Sequence, residues 1–326
     1  MDYRKLGSSD LNVSVIGLGT NNFGNPNRIP DPQVSARVIH ACIDRGINFI
    51  DTADMYGEGK SEEHIGEALR GRRSEVILAT KFNFRNLGTE SPESRINSSV
   101  ETSLRKLQTD VIDLYQIHFP TLDVPHQEVM GLLNDLVDSG KVRYIGECNY
   151  ASWRSAQANH VANEQGGAPF VSSQNYYNLF RRQVELELLP YCTANNIGFL
   201  PYFPLAGGWL SGKYQSGAEI GKTARRMVGD LQGDQLAQER LAKLEVWAKE
   251  RGRTVLDLAF AWLYAHPATT SVIAGAMNPE QVSANAAAAD WNLTQQERDE
   301  IDAIVAWDGT GEEVEGYGPG GPSVAR

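Results

Sequence analysis

Four polar residues with complementary chemistry stand at or just beyond the ends of apolar runs. Asp51 and Tyr56 follow the run INFI, Lys81 ends VILATK, and His118 ends VIDLYQIH. A phenol has a pKa of about 10, and a neighbouring ammonium group lowers it. We therefore expect Lys81 to lower the pKa of Tyr56 and Asp51 to hold Lys81 in place. His118 would orient a carbonyl oxygen or relay a proton.

Such a set suits protonation of a carbonyl oxygen while a cofactor delivers hydride, since it contains no nucleophile–base pair. Asn149 and Gln174 could bind the cofactor's carboxamide, and Tyr202 could stack on its ring. Taken singly, each of these residues has an ordinary structural explanation, and a buried carboxylate–lysine pair is more often structural than catalytic. Their joint placement favours catalysis. Asp54, beyond the strand, is expected to be a solvated turn residue.

Eight apolar runs could position these side chains, and helical patterns lie between them. The runs are residues 13–19, 47–53, 76–81, 111–118, 142–149, 170–174, 197–202 and 270–275. Continuous apolar strands alternating with helices predict a parallel sheet covered on both faces. We expect an α/β fold, a (β/α)8 TIM barrel. A doubly wound sheet is the alternative, but GLGTNNFG after the first run does not match GxGxxG.

The chain is expected to form one domain over residues 1–326 with additions at both ends. The first 13 residues resemble a hairpin. Residues 290–307 predict an extra C-terminal helix that begins with the capping box Thr294 and Glu297. Residues 310–326 are rich in Gly and Pro and are expected to form a mobile tail.

Composition argues against several function classes. A net charge of −11 and a pI near 5.1 disfavour a nucleic-acid partner or an anionic membrane surface. The sequence has neither an apolar run of membrane-spanning length nor an apolar signal core, so a cytoplasmic protein is expected. The three cysteines are far apart, and the six histidines form no HxxxH or HxH pair. We expect reduced thiols and no metal site.

Seven motifs together resemble the aldo-keto reductase superfamily over nearly the whole chain. They are FIDTADMYGEGKSEEHIGEAL, ATK, DLYQIH, GECNY, QNYYN, PYFPLAGGWLSGKY and GAMNPEQVSAN. The resemblance implies a (β/α)8 barrel that binds NADPH, less often NADH, and reduces aldehydes or ketones. It implies that Tyr56 is the proton donor, tuned by Lys81 and Asp51, and that His118 orients the substrate.

The resemblance also suggests which residues bind the nucleotide. They are Thr20, Asp51, Asn149, Gln174, Tyr202, Leu205, Lys213, Gln281 and Asn285. Cys148 stands where the family usually has serine, which weakens one carboxamide contact because a thiol is a poor donor. Lys213, with Arg225 or Arg226, could provide cations for a 2′-phosphate, so NADPH is the expected cofactor.

Five apolar side chains are expected near the Tyr56 hydroxyl and suit a hydrophobic or aromatic carbonyl or alcohol substrate. They are Met55, Phe84, Phe119, Phe203 and Trp209. The protein would be a monomer or homo-oligomer. Two alternatives remain: a nucleotide-binding regulatory barrel subunit that acts through a protein partner, and a metal-dependent barrel hydrolase. The hydrolase would need more ligands than Asp51 and His118 at the strand ends.

Overall fold

Eight parallel strands close into a barrel in the order β10-β3-β4-β5-β6-β7-β8-β9. The computed structural model describes residues 1–85, 87–121, 123–214, 226–307 and 309. The barrel strands are β3 Ile16–Gly19, β4 Phe49–Asp51, β5 Ile77–Phe82, β6 Ile112–Ile117, β7 Val142–Cys148, β8 Ser172–Tyr176, β9 Gly198–Tyr202 and β10 Val272–Gly275. The predicted (β/α)8 barrel is confirmed.

Helices surround the barrel and connect its strands. They are α1 Pro32–Asp44, α2 Lys60–Ala68, α3 Pro92–Leu107, α4 His126–Asp138, α5 Ser152–Gln165, α6 Leu188–Ala194, α7 Arg226–Gly233, α8 Gln235–Glu250, α9 Val255–Tyr264, α10 Pro279–Ala288 and α11 Gln295–Ile304. The extra C-terminal helix is α11, which begins with the capping box of Thr294 and Glu297. The expected tail, residues 310–326, lies outside the described residues.

A hairpin lies across the amino-terminal end of the barrel. The predicted strand 13–19 is in fact divided: β2 Asn12–Ser14 pairs antiparallel with β1 Tyr3–Lys5, and β3 then enters the barrel. The hairpin turn packs closely on β8 and β9, because a Cβ on Gly7 would lie 2.2 Å from the carbonyl oxygen of Val171. Gly7 also has φ +55°, which disfavours other residues.

Apolar side chains form two cores separated by the barrel wall. The inner core contains Phe49 and Leu114 from the strands together with Leu6 and Val13 from the hairpin. The outer core fills the space between strands and helices. Ile47 belongs to the outer core. The strand begins only at Phe49, and Phe49 and Asp51 do share the inner face.

Two helical predictions need correction. Helix α9 was not predicted because eight of its ten residues, Val255 and 258–264, are buried, so no single apolar stripe marks it. One of the helical patterns predicted between the apolar runs, over residues 184–195, divides into a 3-10 turn at Gln183–Glu185 and the short helix α6. In the part of the chain that the structure describes, no helix is long and apolar enough to cross a membrane.

Candidate active site

A cavity of about 850 Å³ lies at the carboxyl ends of the barrel strands. It extends from Tyr56 and His118 to the amino end of α10 at Asn278. Ligand and catalytic sites of (β/α)8 barrels occur at this end of the strands. The cavity is therefore the candidate active site.

A buried ion pair supports the catalytic end of this cavity. Lys81 Nζ donates to Asp51 Oδ2 at 2.6 Å and to the Thr52 carbonyl oxygen at 2.8 Å, and the Lys81 side chain is 0% exposed. Asp51 Oδ1 accepts from Gln116 Nε2 at 3.1 Å and from Gln174 Nε2 at 2.9 Å. Three donors thus fix the carboxylate and compensate for its burial.

A tight turn over Tyr56–Gly59 brings the phenol over this ion pair. Gly57 has φ +57° and Gly59 has φ +87°, and a Cβ on Gly57 would lie 2.6 Å from the Phe23 carbonyl oxygen. Both positions therefore favour glycine. Lys81 Nζ lies 5.2 Å from the centre of the Tyr56 ring.

The Tyr56 phenol remains protonated over the neutral range. Burial raises its pKa to about 12, and Asp51 and Cys148 add to the rise, although the Lys81 ammonium group lowers it. Lys81 lowers the pKa of Tyr56 as expected, but burial outweighs the ammonium group, so the pKa lies above its usual value. Burial lowers the pKa of Lys81, but the charge and hydrogen bond of Asp51, together with Tyr56 and Cys148, raise it above its usual value. Lys81 stays charged.

His118 faces Tyr56 as a neutral imidazole. Its ring makes an edge contact with Tyr56 at 5.6 Å between ring centres. Burial holds the pKa of His118 well below its usual value, and the positive charges of Lys81 and Arg85 lower it further. Its backbone is fixed on both sides: the amide donates to the Phe82 carbonyl oxygen at 2.7 Å, and its carbonyl accepts from Asn149 Nδ2 at 2.9 Å.

The residues expected to bind a carboxamide and a ring are connected by hydrogen bonds. Tyr202 donates its hydroxyl to Asn149 Oδ1 at 2.7 Å. One face of Tyr202 stacks on Tyr176, with 5.6 Å between ring centres and 8° between planes. Asn149 has φ +62°, a left-handed conformation that Asn tolerates better than most residues. Gln174 donates its side-chain amide N–H to Asp51 Oδ1.

Most of the predicted site residues line the cavity. All nine residues expected to bind the nucleotide do so, as do Met55, Phe119 and Phe203. Phe84 and Trp209 do not. Phe84 packs edge-on against Phe82 in the outer core, and Trp209 is buried and stacked on Tyr214. Both are therefore core residues rather than pocket residues.

Asp54 is not the solvated turn residue expected from the sequence. Its Oδ1 atom is buried and has no hydrogen-bond partner among the described residues. Burial, followed by the charge of Glu62, raises the pKa of Asp54 to about 6. Asp54 does lie in the turn, but it is only half-buried and one of its carboxyl oxygens is shielded from water.

Two kinds of site residue were missed from the sequence: Gln116, which holds Asp51, and three residues of the cavity wall. Gln116 lies opposite Lys81 in the β5–β6 register, and alternation back from His118 would have placed it inside the barrel. Asn22, Arg28 and Glu280 also line the cavity, but they lie in loops or at a helix start, where sequence carries no such signal. The side chains of residues 225 and 226 lie outside the described residues. Among those described, no three His, Cys, Asp or Glu residues could hold a metal ion.

Comparison with known proteins identifies the family. The model of the aldo/keto reductase family matches residues 15–306. The chain belongs to this family. This aldo-keto reductase is 35% identical to the aldo-keto reductase YhdN of Bacillus subtilis (strain 168) over 316 residues, 94% of each chain.

Two further relatives illustrate the range of named functions. Versiconal hemiacetal acetate reductase of Aspergillus parasiticus is 30% identical over 91% of this chain and 95% of its own. A probable voltage-gated potassium channel subunit beta of Arabidopsis thaliana is 32% identical over 89% of this chain and 92% of its own. The named reductases and the family support an oxidoreductase that uses a nicotinamide cofactor for carbonyl reduction.

The cavity fits a nicotinamide nucleotide. Its volume lies within the usual range for cofactor sites. Arg28 and Lys213 contribute cations to its wall, and Asn149 and Gln174 contribute carboxamides near the ion pair. Asn22 also lines the cavity, and its buried Oδ1 atom has no hydrogen-bond partner among the described residues.

Proposed function

We propose that this aldo-keto reductase reduces aldehydes or ketones to alcohols, or catalyses the reverse reaction, with NADPH as the hydride donor and Tyr56 as the proton donor. The observation that carries the proposal is the buried Lys81–Asp51 pair, with 2.6 Å between Nζ and Oδ2, directly beneath a Tyr56 phenol that lines the cavity.

Proton transfer follows from the electrostatics of this cluster. A bound nicotinamide supplies hydride to the carbonyl carbon, and the oxygen then needs a proton. Tyr56 holds that proton because its pKa is about 12. As the phenol gives it up, the developing phenolate is stabilised by the hydrogen bond and charge of Lys81, which Asp51 keeps in position. Neutral His118 orients the carbonyl oxygen.

Two features support NADPH as the cofactor and the cytoplasm as the compartment. Lys213 and Arg28 in the cavity wall suit a 2′-phosphate, which favours NADPH over NADH. Asn149 and Gln174 would contact the nicotinamide carboxamide, and Tyr202 would stack on the nicotinamide ring. The rest of the nucleotide would contact Thr20, Leu205, Gln281 and Asn285.

The buried thiols of Cys42, Cys148 and Cys192 suit a reducing compartment, so we propose that the protein acts in the cytoplasm.

The substrate proposal rests on the apolar part of the wall. Met55, Phe119 and Phe203 line the cavity together with Tyr56 and His118. These side chains favour a hydrophobic or aromatic carbonyl compound, with Tyr56 and His118 as the polar groups that orient its oxygen.

The test measures NADPH and NADH binding by fluorescence and then turnover of a panel of aldehydes and ketones. Tyr56→Phe is compared with Tyr3→Phe, a control on the hairpin that is 44% exposed. We expect tighter binding of NADPH than of NADH. Tyr56→Phe should lower kcat by about 100-fold or more with little change in nucleotide affinity, whereas Tyr3→Phe should behave as wild type. Equal turnover by the two variants would rule out Tyr56 as the donor.

A second candidate function is regulation of a protein partner by a nucleotide-bound barrel. It is favoured by the channel-subunit names of relatives such as the Arabidopsis thaliana protein. The same experiment separates the two functions, because nucleotide binding without turnover of any carbonyl supports the regulatory one. Failure to bind either nucleotide would contradict both.

A further inference from the structure

The orientation of His118 is not secured by the usual hydrogen bond. A functional histidine is commonly held by a hydrogen bond from its second ring nitrogen to a carboxylate or a carbonyl. Here Nδ1 is buried and has no hydrogen-bond partner among the described residues. The backbone contacts of His118 fix its main chain but leave the imidazole free to rotate. Another contact must set the plane of the ring.

Ring packing supplies that contact. Phe119 stacks on His118 with 4.4 Å between ring centres and 10° between planes. Tyr56 meets the imidazole nearly edge-on, at 79°. A rotated imidazole would lose the parallel contact with Phe119. The Phe119 ring lines the cavity, so its own position needs support.

Arg85 provides this support from the loop after β5. Its guanidinium carbon lies 3.4 Å from the centre of the Phe119 ring, the shortest such distance among the cation–ring pairs of the described residues. The Arg85 backbone is itself held, since its amide donates to Asn83 Oδ1 at 3.0 Å and its carbonyl accepts from Arg95 Nη1 at 3.1 Å. A planar guanidinium can lie flat on a ring in a way that an ammonium group cannot.

We infer that Arg85 is a positioning residue for carbonyl reduction, which acts by holding Phe119 flat against His118. Arg85 is not a catalytic residue, because it does not line the cavity. This inference rests on the proposed function of His118 in orienting the substrate oxygen. It assigns a role in catalysis to a side chain outside the catalytic cluster.

The charge of Arg85 has a second effect on the same ring. The other titratable or charged groups close to the imidazole are Lys81, its partner Asp51, and Tyr56. Lys81 and Arg85 are positive, and both lower the pKa of His118. Removing Arg85 should therefore make the imidazole easier to protonate as well as less well oriented.

The experiment compares Arg85→Leu, Arg85→Lys and His118→Asn with wild type. Arg251→Leu is the matched control. The Arg251 guanidinium also lies over an aromatic ring, 3.7 Å from the centre of Trp247, but Trp247, unlike Phe119, does not line the cavity. Measurements are kcat and KM from pH 5 to 9, NADPH affinity, and the pH titration of the His118 ring by NMR, assigned with His118→Asn.

We expect Arg85→Leu to lower kcat by about threefold to tenfold, in line with one lost cation–ring contact. NADPH affinity should be unchanged, and the His118 ring should titrate at a higher pH. Arg85→Lys should restore most of the titration but only part of kcat, since it keeps the charge without the planar contact. If Arg85→Leu matches Arg251→Leu in both kcat and titration, the inference is wrong. If His118→Asn also turns over normally, the proposed function of His118 fails instead.

Discussion

Asp51 and Glu147 are both almost fully buried at the carboxyl ends of barrel strands, but they face opposite sides of the barrel wall. Asp51 points inward and receives Lys81 Nζ at 2.6 Å. Glu147 points outward, towards α5, where it accepts from the Ser155 hydroxyl at 2.8 Å and the Tyr150 amide at 3.3 Å. No cation pairs with Glu147 among the described residues, and burial raises its pKa to about 8.

The difference shows how one barrel holds a carboxylate in two ways. The inward carboxylate has a cation partner and can support chemistry. An outward carboxyl group with only neutral donors is mostly protonated at neutral pH and serves the packing of α5 against the sheet. Burial alone therefore does not identify a functional carboxylate, whereas the partner does.

Lys81→Met should have the largest effect, because it removes the cation that distinguishes Asp51 from Glu147. It leaves Asp51 buried without a cation, which typically costs about 3 to 5 kcal/mol of unfolding free energy. It also removes the charge that stabilises the Tyr56 phenolate, so kcat should fall by about 100-fold or more. Urea unfolding and NADPH oxidation measure the two effects. The double variant Lys81→Met with Asp51→Asn should recover part of the stability but none of the activity. Full activity in either variant would contradict the proposed mechanism.

Glu147→Gln should show the opposite behaviour. The folded-state pKa is raised, so the stability that wild type gains from the neutral carboxyl is full below about pH 4 and is lost as the pH rises through about 8. The variant should match the unfolding free energy of wild type at low pH and exceed it by roughly 5 kcal/mol at pH 9.

Thermal or urea unfolding across this pH range measures that gap. Glu164→Gln on the exposed surface of α5 is the control. The Glu164 side chain is 66% exposed and pairs only with the exposed His160 among the described residues, so any pH-dependent gap should stay below about 1 kcal/mol. A constant gap between Glu147→Gln and wild type from pH 5 to 9 would show that Glu147 is charged in the folded protein.

Gln116→Leu, on the Asp51 side of the barrel wall, should have the smallest effect. It removes one of the two amide donors to Asp51 Oδ1 but leaves Gln174 and Lys81 in place. We expect a loss of about 1 to 2 kcal/mol of unfolding free energy. The accompanying drop in kcat should be below about tenfold. Gln127→Leu on the exposed face of α4 is the control. A loss as large as that of Lys81→Met would mean that Gln116, rather than Lys81, is the main partner of Asp51.

Much of the fold was predictable because its signals are local. Alternating apolar runs and helical patterns predicted the barrel, and the capping box of Thr294 and Glu297 predicted the start of the last helix. Helix α9 was not predictable from periodicity, since Leu258 and the residues after it are apolar on every side. The first run is divided at Val15 because β2 pairs with β1 whereas β3 pairs with the distant strand β10. A local sequence pattern cannot reveal which strands will pair.

The candidate site was predictable in its members but not in its electrostatics. Strand ends identified Asp51, Lys81 and His118, and alternation could have added Gln116. The pKa of Tyr56 lies above its usual value because burial, which depends on the packing of the whole turn, outweighs the charge of Lys81. For Asp54, burial and the charge of Glu62 both raise the pKa. Arg85 carries no sequence signal at all, since its contact with Phe119 joins two loops.

The hairpin at the amino-terminal end determines how substrate and product can enter and leave the cavity. Its turn packs on β8 and β9, and Leu6 and Val13 fill the floor of the barrel. A molecule that reaches Tyr56 therefore has no passage onward through the barrel. It must leave by the opening through which it entered. Product release and the binding of the next substrate therefore use the same opening of the cavity.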